Sequence, residues 1–171
     1  ESRRDGTVEV GNGAQDIGVG TRTLLAVIVA EELGLGAGDL TVRMGDTNLP
    51  FGPASGGSTT APTIGPAARN AGIEARKALF SEIAPGMGAK PDDLKLAGGK
   101  VDGGGKSITF KEACKLMKSE SVKVEGHRSE NYRGYRDAVA GCQFAEVEVD
   151  TETGQVRVVK VVAVQDAGRV I

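Results

Sequence analysis

Glycine placement is the feature that most restricts what this chain can fold into. Of its 26 glycines, most fall in clusters at 11–20, 34–38, 52–57, near 86 and at 98–105. Glycine weakens the interior of a helix or strand and serves turns and close backbone approaches, so regular elements are confined to the stretches between clusters. Residues 7–10 alternate as a strand that runs into the first cluster. Residues 21–33 then space Leu24, Val27, Ile28 and Glu31 on helical turns and end at Gly34, a residue suited to close a helix. A second alternating strand at 39–44 leads through a Pro/Gly/Ser loop at 46–58 to a second helix, predicted from 62 or 64 to 83. The order strand, glycine loop, helix is thus used twice.

The rest of the chain is read in the same way. Residues 85–106 are rich in turns, with two short strands around 94–96 and 100–101 forming a small hairpin. Thr109 followed by Glu112 has the spacing of a capping box and announces a short helix over 110–117, with a strand at 122–125 after it. In 141–149 the apolar Phe144, Val147 and Val149 alternate with Glu146 and Glu148. A Thr-Glu-Thr-Gly turn at 151–154 then returns the chain into a valine-rich strand ending at 164. This is a long antiparallel hairpin, expected to be half buried on its first strand and more deeply buried on its return. The fold class is α+β: a mixed sheet with strand–Gly-loop–helix units and a C-terminal antiparallel hairpin. It is expected as one compact fragment over 1–171 with a sub-boundary near 85–106.

Composition enters mainly through what it excludes. With 21 basic and 23 acidic residues, no electrostatic footprint argues for nucleic acid or an anionic membrane surface. The longest apolar run, 24–30, is far short of the roughly 18–20 residues that span a bilayer. Cys114 and Cys142 lie far apart with no Cys-x-x-Cys pattern, so both are expected as small buried side chains and not as zinc or iron–sulfur ligands. His127, the single histidine, sits in a charged stretch and is expected at the surface. Tyr132-Arg133-Gly134-Tyr135-Arg136 reads equally well as a partner contact or an exposed crossing loop. Glu31-Glu32 and Asp92-Asp93 read as solvated faces. The chain opens without an initiator Met and is expected to be an excised piece. It shows no signal-peptide pattern, and a cytoplasmic setting is expected over a periplasmic one.

The chemistry lies in the two glycine loops. The first reads Gly11-Asn12-Gly13-Ala14-Gln15-Asp16-Ile17-Gly18-Val19-Gly20-Thr21, and the second Ser55-Gly56-Gly57-Ser58-Thr59-Thr60-Ala61. Each feeds a helix, whose start offers unpaired backbone N–H groups and a partial positive charge suited to an anion. Ser58 and Thr60 add hydroxyl donors. A single loop of this kind is most simply a tight connection, but two of them favour a ligand, and both are expected on one face. Neither is a P-loop, since no Gly-Lys-Ser/Thr follows, and neither has Rossmann spacing, so ATP and NAD are disfavoured.

At these residues the chain resembles a known family. Residues 13–23 with Val29-Ala30-Glu31-Glu32-Leu33-Gly34, then Gly45-Asp46-Thr47 through 55–60, then 143–150 with Thr153-Gly154 and 166–171, resemble three blocks of the molybdopterin-binding large subunit of the xanthine dehydrogenase and aldehyde oxidase family of molybdenum hydroxylases. The resemblance implies a molybdenum–pyranopterin cofactor, often extended to a dinucleotide. It also implies hydroxylation of an aldehyde or N-heterocycle with oxygen from water, and electrons leaving to iron–sulfur clusters and FAD on partner domains or subunits of a multi-subunit oxidoreductase. Carried over by motif, Ile17, Gly18 and Val19 would lie beside the cofactor, and Gly57, Ser58, Thr60 and Ala61 would line the part that holds pterin and phosphate. Some relatives have Gln at the position of Val19, so only a backbone role is implied there. The remainder of the molybdenum subunit is implied as a partner, with no nucleic acid and no membrane span.

The same resemblance implies that no catalytic residue and no protein ligand to the metal lies within the chain. The family's general-base glutamate belongs to a Gly-Glu motif expected beyond Ile171, and the isolated chain is expected to be inactive. Two other readings stay open at this level: a non-catalytic module binding a phosphorylated ligand, and a subunit-assembly module.

Overall fold

The structure, a computed structural model, describes residues 1–128 and 140–166. Contacts divide the chain into two compact units, Glu1–Glu130 and Asn131–Ile171, so the 85–106 segment lies inside the first unit and the main division falls after it. The 132–136 run and residues 167–171 lie outside the described residues.

The first unit follows the order β1 (Ser2–Arg3), β2 (Val8–Asn12), α1 (Thr21–Glu32), β3 (Leu40–Met44), α2 (Thr60–Met87), β4 (Lys95–Ala97), β5 (Lys100–Gly103), β6 (Lys106–Thr109), α3 (Phe110–Cys114) and β7 (Ser121–Val122). One sheet has the order β3-β2-β1-β7. In it β2 and β3 are parallel, from Val8 opposite Leu40 to Asn12 opposite Met44, whereas β1 is antiparallel to β2 and β7. The sheet is therefore mixed, as the two strand–loop–helix units require. A second, antiparallel sheet has the order β4-β5-β6, one strand more than the hairpin expected for this region. The expected strand at 122–125 contracts to Ser121–Val122.

Sequence signals place several element ends correctly. Leu35 N–H bonds Ala30 O and Gly34 N–H bonds Glu31 O, closing α1 in a Schellman motif around Gly34. At α3, Thr109 Oγ1 accepts from the Glu112 amide while the Glu112 carboxylate accepts from the Thr109 amide. The second helix is longer than expected at both ends, running 28 residues through Pro66 and Pro85. Each proline removes one amide donor. Burial of Ile64, Leu79, Phe80, Ile83 and Met87 offsets this at about 1.5–3 kcal/mol for each large apolar side chain.

The two helices cross at Gly72, where a β-carbon would meet Glu32 Cβ at 2.8 Å. Their contact is sealed by Glu32, which accepts from Arg69 Nε at 2.9 Å and Arg76 Nη1 at 3.2 Å. Glu32 is thus an interhelical tie and not part of a solvated face. Leu25, Val29 and Leu33 of α1 complete the core with Val8 of β2.

The second unit is the hairpin of β8 (Ala140–Val149) and β9 (Val156–Asp166), paired antiparallel with a bulge between Glu146 and Val147. The two strands pair as expected. Burial departs from expectation: every described residue of both strands is exposed, because a two-stranded ribbon has no further layer of its own to cover either face. Cys142 is accordingly exposed, contrary to expectation. Cys114 is buried as expected, and burial pushes its thiol up to about 12. No described helix is long and apolar enough to cross a membrane.

Candidate functional site

Because β2 and β3 are parallel and in register, their C-terminal ends Asn12 and Met44 lie side by side. Both loops therefore leave the sheet from the same edge, the place where open α/β sheets ordinarily hold ligands. The loops are tied to each other directly. Gly13 N–H donates to Pro50 O at 2.7 Å, and Ser55 Oγ donates to Gln15 O at 2.8 Å.

Between them opens a groove of about 830 Å³. Ile17 and Val19 line it from the first loop, and Gly57, Ser58, Thr60 and Ala61 from the second. Six of the seven residues singled out from the sequence thus share one surface. The seventh, Gly18, joins Ile17 to Val19 but does not line the groove. Thr21, Thr23, Leu24 and Val27 of α1 and Ser55 also line it, and sequence reasoning passed over them. For Leu24 and Val27 the signal is the apolar run at 24–30: a helix segment apolar on every face needs cover on the face turned away from its own core.

The walls differ in chemistry. The first-loop wall is apolar and open, with Ile17 65% and Val19 70% exposed. The second-loop wall is polar. Gly57 and Ser58 are consecutive left-handed residues, each with φ +57°, and Ser58 is the one non-glycine residue with positive φ among those described. Such conformations cost L-residues roughly 1–2 kcal/mol and collect at functional sites. A β-carbon on Gly57, which lines the groove, would meet only Thr59 Cγ2, at 3.9 Å.

The helix starts differ as well. At α1 several donors are already engaged: the Asp16 carboxylate accepts from the Gly18 and Arg22 amides, each at 3.0 Å. Further amides at Gly20 and Thr21 support it, and together they hold its pKa below the usual aspartate value. At α2 the N-cap Thr59 makes no side-chain cap. Among the described residues the amides of Ser58, Thr60 and Ala61 meet no acceptor. The expectation of unpaired donors at both loops therefore holds most fully for the second, since at the first Asp16 leaves the Thr23 amide without an acceptor among the described residues.

A separate cavity of about 360 Å³ lies between α1, α2 and β2, lined largely by core residues such as Val8, Leu25, Val29 and Ile64. None of the singled-out residues reaches it. His127 lies exposed at its rim, its carbonyl accepting from Asn70 Nδ2 at 2.7 Å.

Comparison with known proteins fits this geometry. The family model described as the molybdopterin cofactor-binding domain matches residues 1–171. The chain is 36% identical over 172 residues to the aldehyde oxidoreductase molybdenum-binding subunit PaoC of Escherichia coli (strain K12), covering 98% of this chain and 22% of that subunit. It is 31% identical over 186 residues to the 6-hydroxypseudooxynicotine dehydrogenase complex subunit gamma of Paenarthrobacter nicotinovorans, covering 100% of this chain and 23% of that one. Reconstituted CO dehydrogenase from Oligotropha carboxidovorans shares the fold at a TM-score of 0.79 and 24% identity, over 98% of this chain and 22% of that one. The chain thus spans less than a quarter of the length of the relatives it matches.

Proposed function

Since this chain belongs to the molybdopterin cofactor-binding domain family, we propose that its groove is part of the cradle for a molybdenum–pyranopterin cofactor in a hydroxylase that oxidises an aldehyde or N-heterocycle. The observation that carries this reading is the convergence of the two loops on one open groove with one apolar and one donor-bearing wall. The donor set suits such a group. Free amides at Ser58, Thr60 and Ala61, with the α2 helix start behind them, are matched to a phosphate or pterin oxygen. Ile17, Val19 and Val27 offer a surface for a flat ring, and the left-handed Gly57 leaves room for its close approach.

When bound, the cofactor supplies the two-electron redox chemistry, while the protein contributes binding and orientation. The chain's residues act as a clamp. The second loop holds the anionic portion by backbone donors that cost no reorganisation, Ser58 adds a hydroxyl, and the first loop excludes water from one side. The general base and the substrate pocket are assigned to other parts of the subunit, and the electron path to iron–sulfur and FAD partners.

The test is to express the complete polypeptide with its cofactor supply and measure molybdenum and pterin. About one of each per chain is expected, together with aldehyde- or heterocycle-dependent reduction of an electron acceptor. A folded subunit that holds no pterin would overturn the reading and favour a phosphorylated-ligand or assembly module instead.

A further inference from the structure

A carboxylate already sits where an anion would bind at the first loop. Asp16 Oδ1 accepts from the Gly18 amide and Oδ2 from the Arg22 amide, so one side chain closes this loop at its middle and at its far end. The helix needs that closure. Its N-cap, Gly20, has no side chain to offer, and Arg22 is the second helical residue, whose amide an N-cap side chain ordinarily serves. Asp16 supplies the missing cap from six residues back.

The two flanks of the loop are anchored as well. Gln15 is held through its carbonyl by Ser55, and the Arg22 guanidinium donates to Val42 O in β3. Between these ties Ile17 and Val19 alternate with left-handed Gly18 and Gly20, and no neighbour packs against either glycine. Two exposed aliphatic side chains on such a backbone have no packing to fix them. The carboxylate's bonds to amides fix them instead.

Building on the cofactor reading above, we propose that Asp16 is a positioning residue of the cradle. Its carboxylate occupies the α1 N-terminus as a built-in anion, sets Ile17 and Val19 as the apolar wall, and leaves a ligand's own negative charge to the second loop. A carboxylate at one wall disfavours a second anion beside it and so fixes which end of the ligand faces which loop.

The test uses the complete cofactor-bearing subunit with Asp16→Asn and Asp16→Ala variants. Two quantities are measured: amide hydrogen exchange at Gly18 and Arg22 in the cofactor-free protein, and the rate of pterin release, followed by fluorescence of the oxidised pterin. Exchange and release are both expected to rise at least tenfold in Asp16→Ala. Asp16→Asn should fall between, since its amide keeps one acceptor oxygen, and the core amide of Leu79 should be unchanged. Unaltered exchange at Gly18 and Arg22, or faster exchange with wild-type release, would overturn the proposal. If Asp16→Ala does not fold, Asp16→Asn decides by the same two readings. A wild-type subunit without pterin overturns the functional reading instead, and the exchange data tell that failure apart from this one.

Discussion

The first loop, between β2 and α1, and the second, between β3 and α2, leave adjacent parallel strands, and both deliver the chain into a helix. Their helices nevertheless begin under opposite electrical conditions. The first has a carboxylate, Asp16, among its amide donors and bonded to two of them, while the second leaves Ser58, Thr60 and Ala61 without an acceptor among the described residues. Glycine content and position before a helix are therefore insufficient to identify an anion site. What decides is whether a nearby side chain has already taken the donors, and here that divides one groove into an apolar wall and a receiving wall.

The largest effect that would sharpen this contrast comes from adding bulk to the receiving wall. Gly57→Val in the complete subunit is expected to lower bound pterin at least tenfold. Position 57 lines the groove, so added bulk there competes for ligand space, and a β-branched residue tolerates φ +57° poorly, at a cost on the order of 1–2 kcal/mol. The core stays intact, since no atom crowds that position, so Leu79 and Ile83 amides should keep their exchange protection. Wild-type pterin content in this variant would remove the second loop from the cradle.

An intermediate effect with split signs is expected at the neighbouring residue. Ser58→Gly removes the strain of a left-handed serine and should raise stability by roughly 0.5–1 kcal/mol, or about 1–4 °C in Tm for a chain of this length. It also removes a hydroxyl from the receiving wall, so pterin release should quicken several-fold. Stability and retention moving in the same direction would show that Ser58 is only a turn residue. Ser55→Ala tests the joint between the loops. Loss of its bond to Gln15 O should cost about 0.5–1 kcal/mol, at the low end of a hydrogen bond because the carbonyl is left facing water. The measurement is Tm, with a fall of a few degrees expected and no change in α3.

Much of this contrast was beyond reading from the sequence, for identifiable reasons. The Thr109–Glu112 cap and the Gly34 stop depend on residues two to five positions apart, and the local pattern carries them. The loop residues Ile17, Val19, Gly57, Ser58, Thr60 and Ala61 stand beside recognisable glycines and come together through one parallel strand pair. Asp16 was opaque because its reach to Arg22 exists only after Gly18 and Gly20 turn left-handed, and no local spacing announces that. The predicted α2 already ran through Pro66 but stopped at 83, short of Pro85, and the packing that carries it on to Met87 involves residues distant in sequence. In the hairpin, alternation fixed the pairing of β8 with β9. Burial depends on a third layer, which neither strand contains.

The smallest expected effect is a pH dependence at one of the two helix starts. Asp16 has a folded pKa lowered by the backbone amides it accepts from, so its contribution to loop order is complete above the unfolded aspartate value near 3.8. It is lost as the pH falls through the lower folded value. The second loop has one titratable side chain, Asp46, bonded to Asn48 at its start, and residues 50–61, which lead into α2, have none, so the α2 start has no carboxylate of its own to lose in this range. Global stability is a poor readout, because Asp5, Asp46, Glu82, Glu112 and Asp150 are also held low by hydrogen bonds and fade in the same acid window. Amide chemical shifts separate them. On acidification the Gly18 and Arg22 amides should share one transition with a midpoint below 3.8, whereas the Thr59 amide, bonded to Gly56 O at 3.2 Å, should stay flat. A shared transition at Thr59 would mean that the loops respond as one body. A Gly18 midpoint at or above 3.8 would mean that the amides do not stabilise the carboxylate, and the electrical difference between the two helix starts would lose its physical basis.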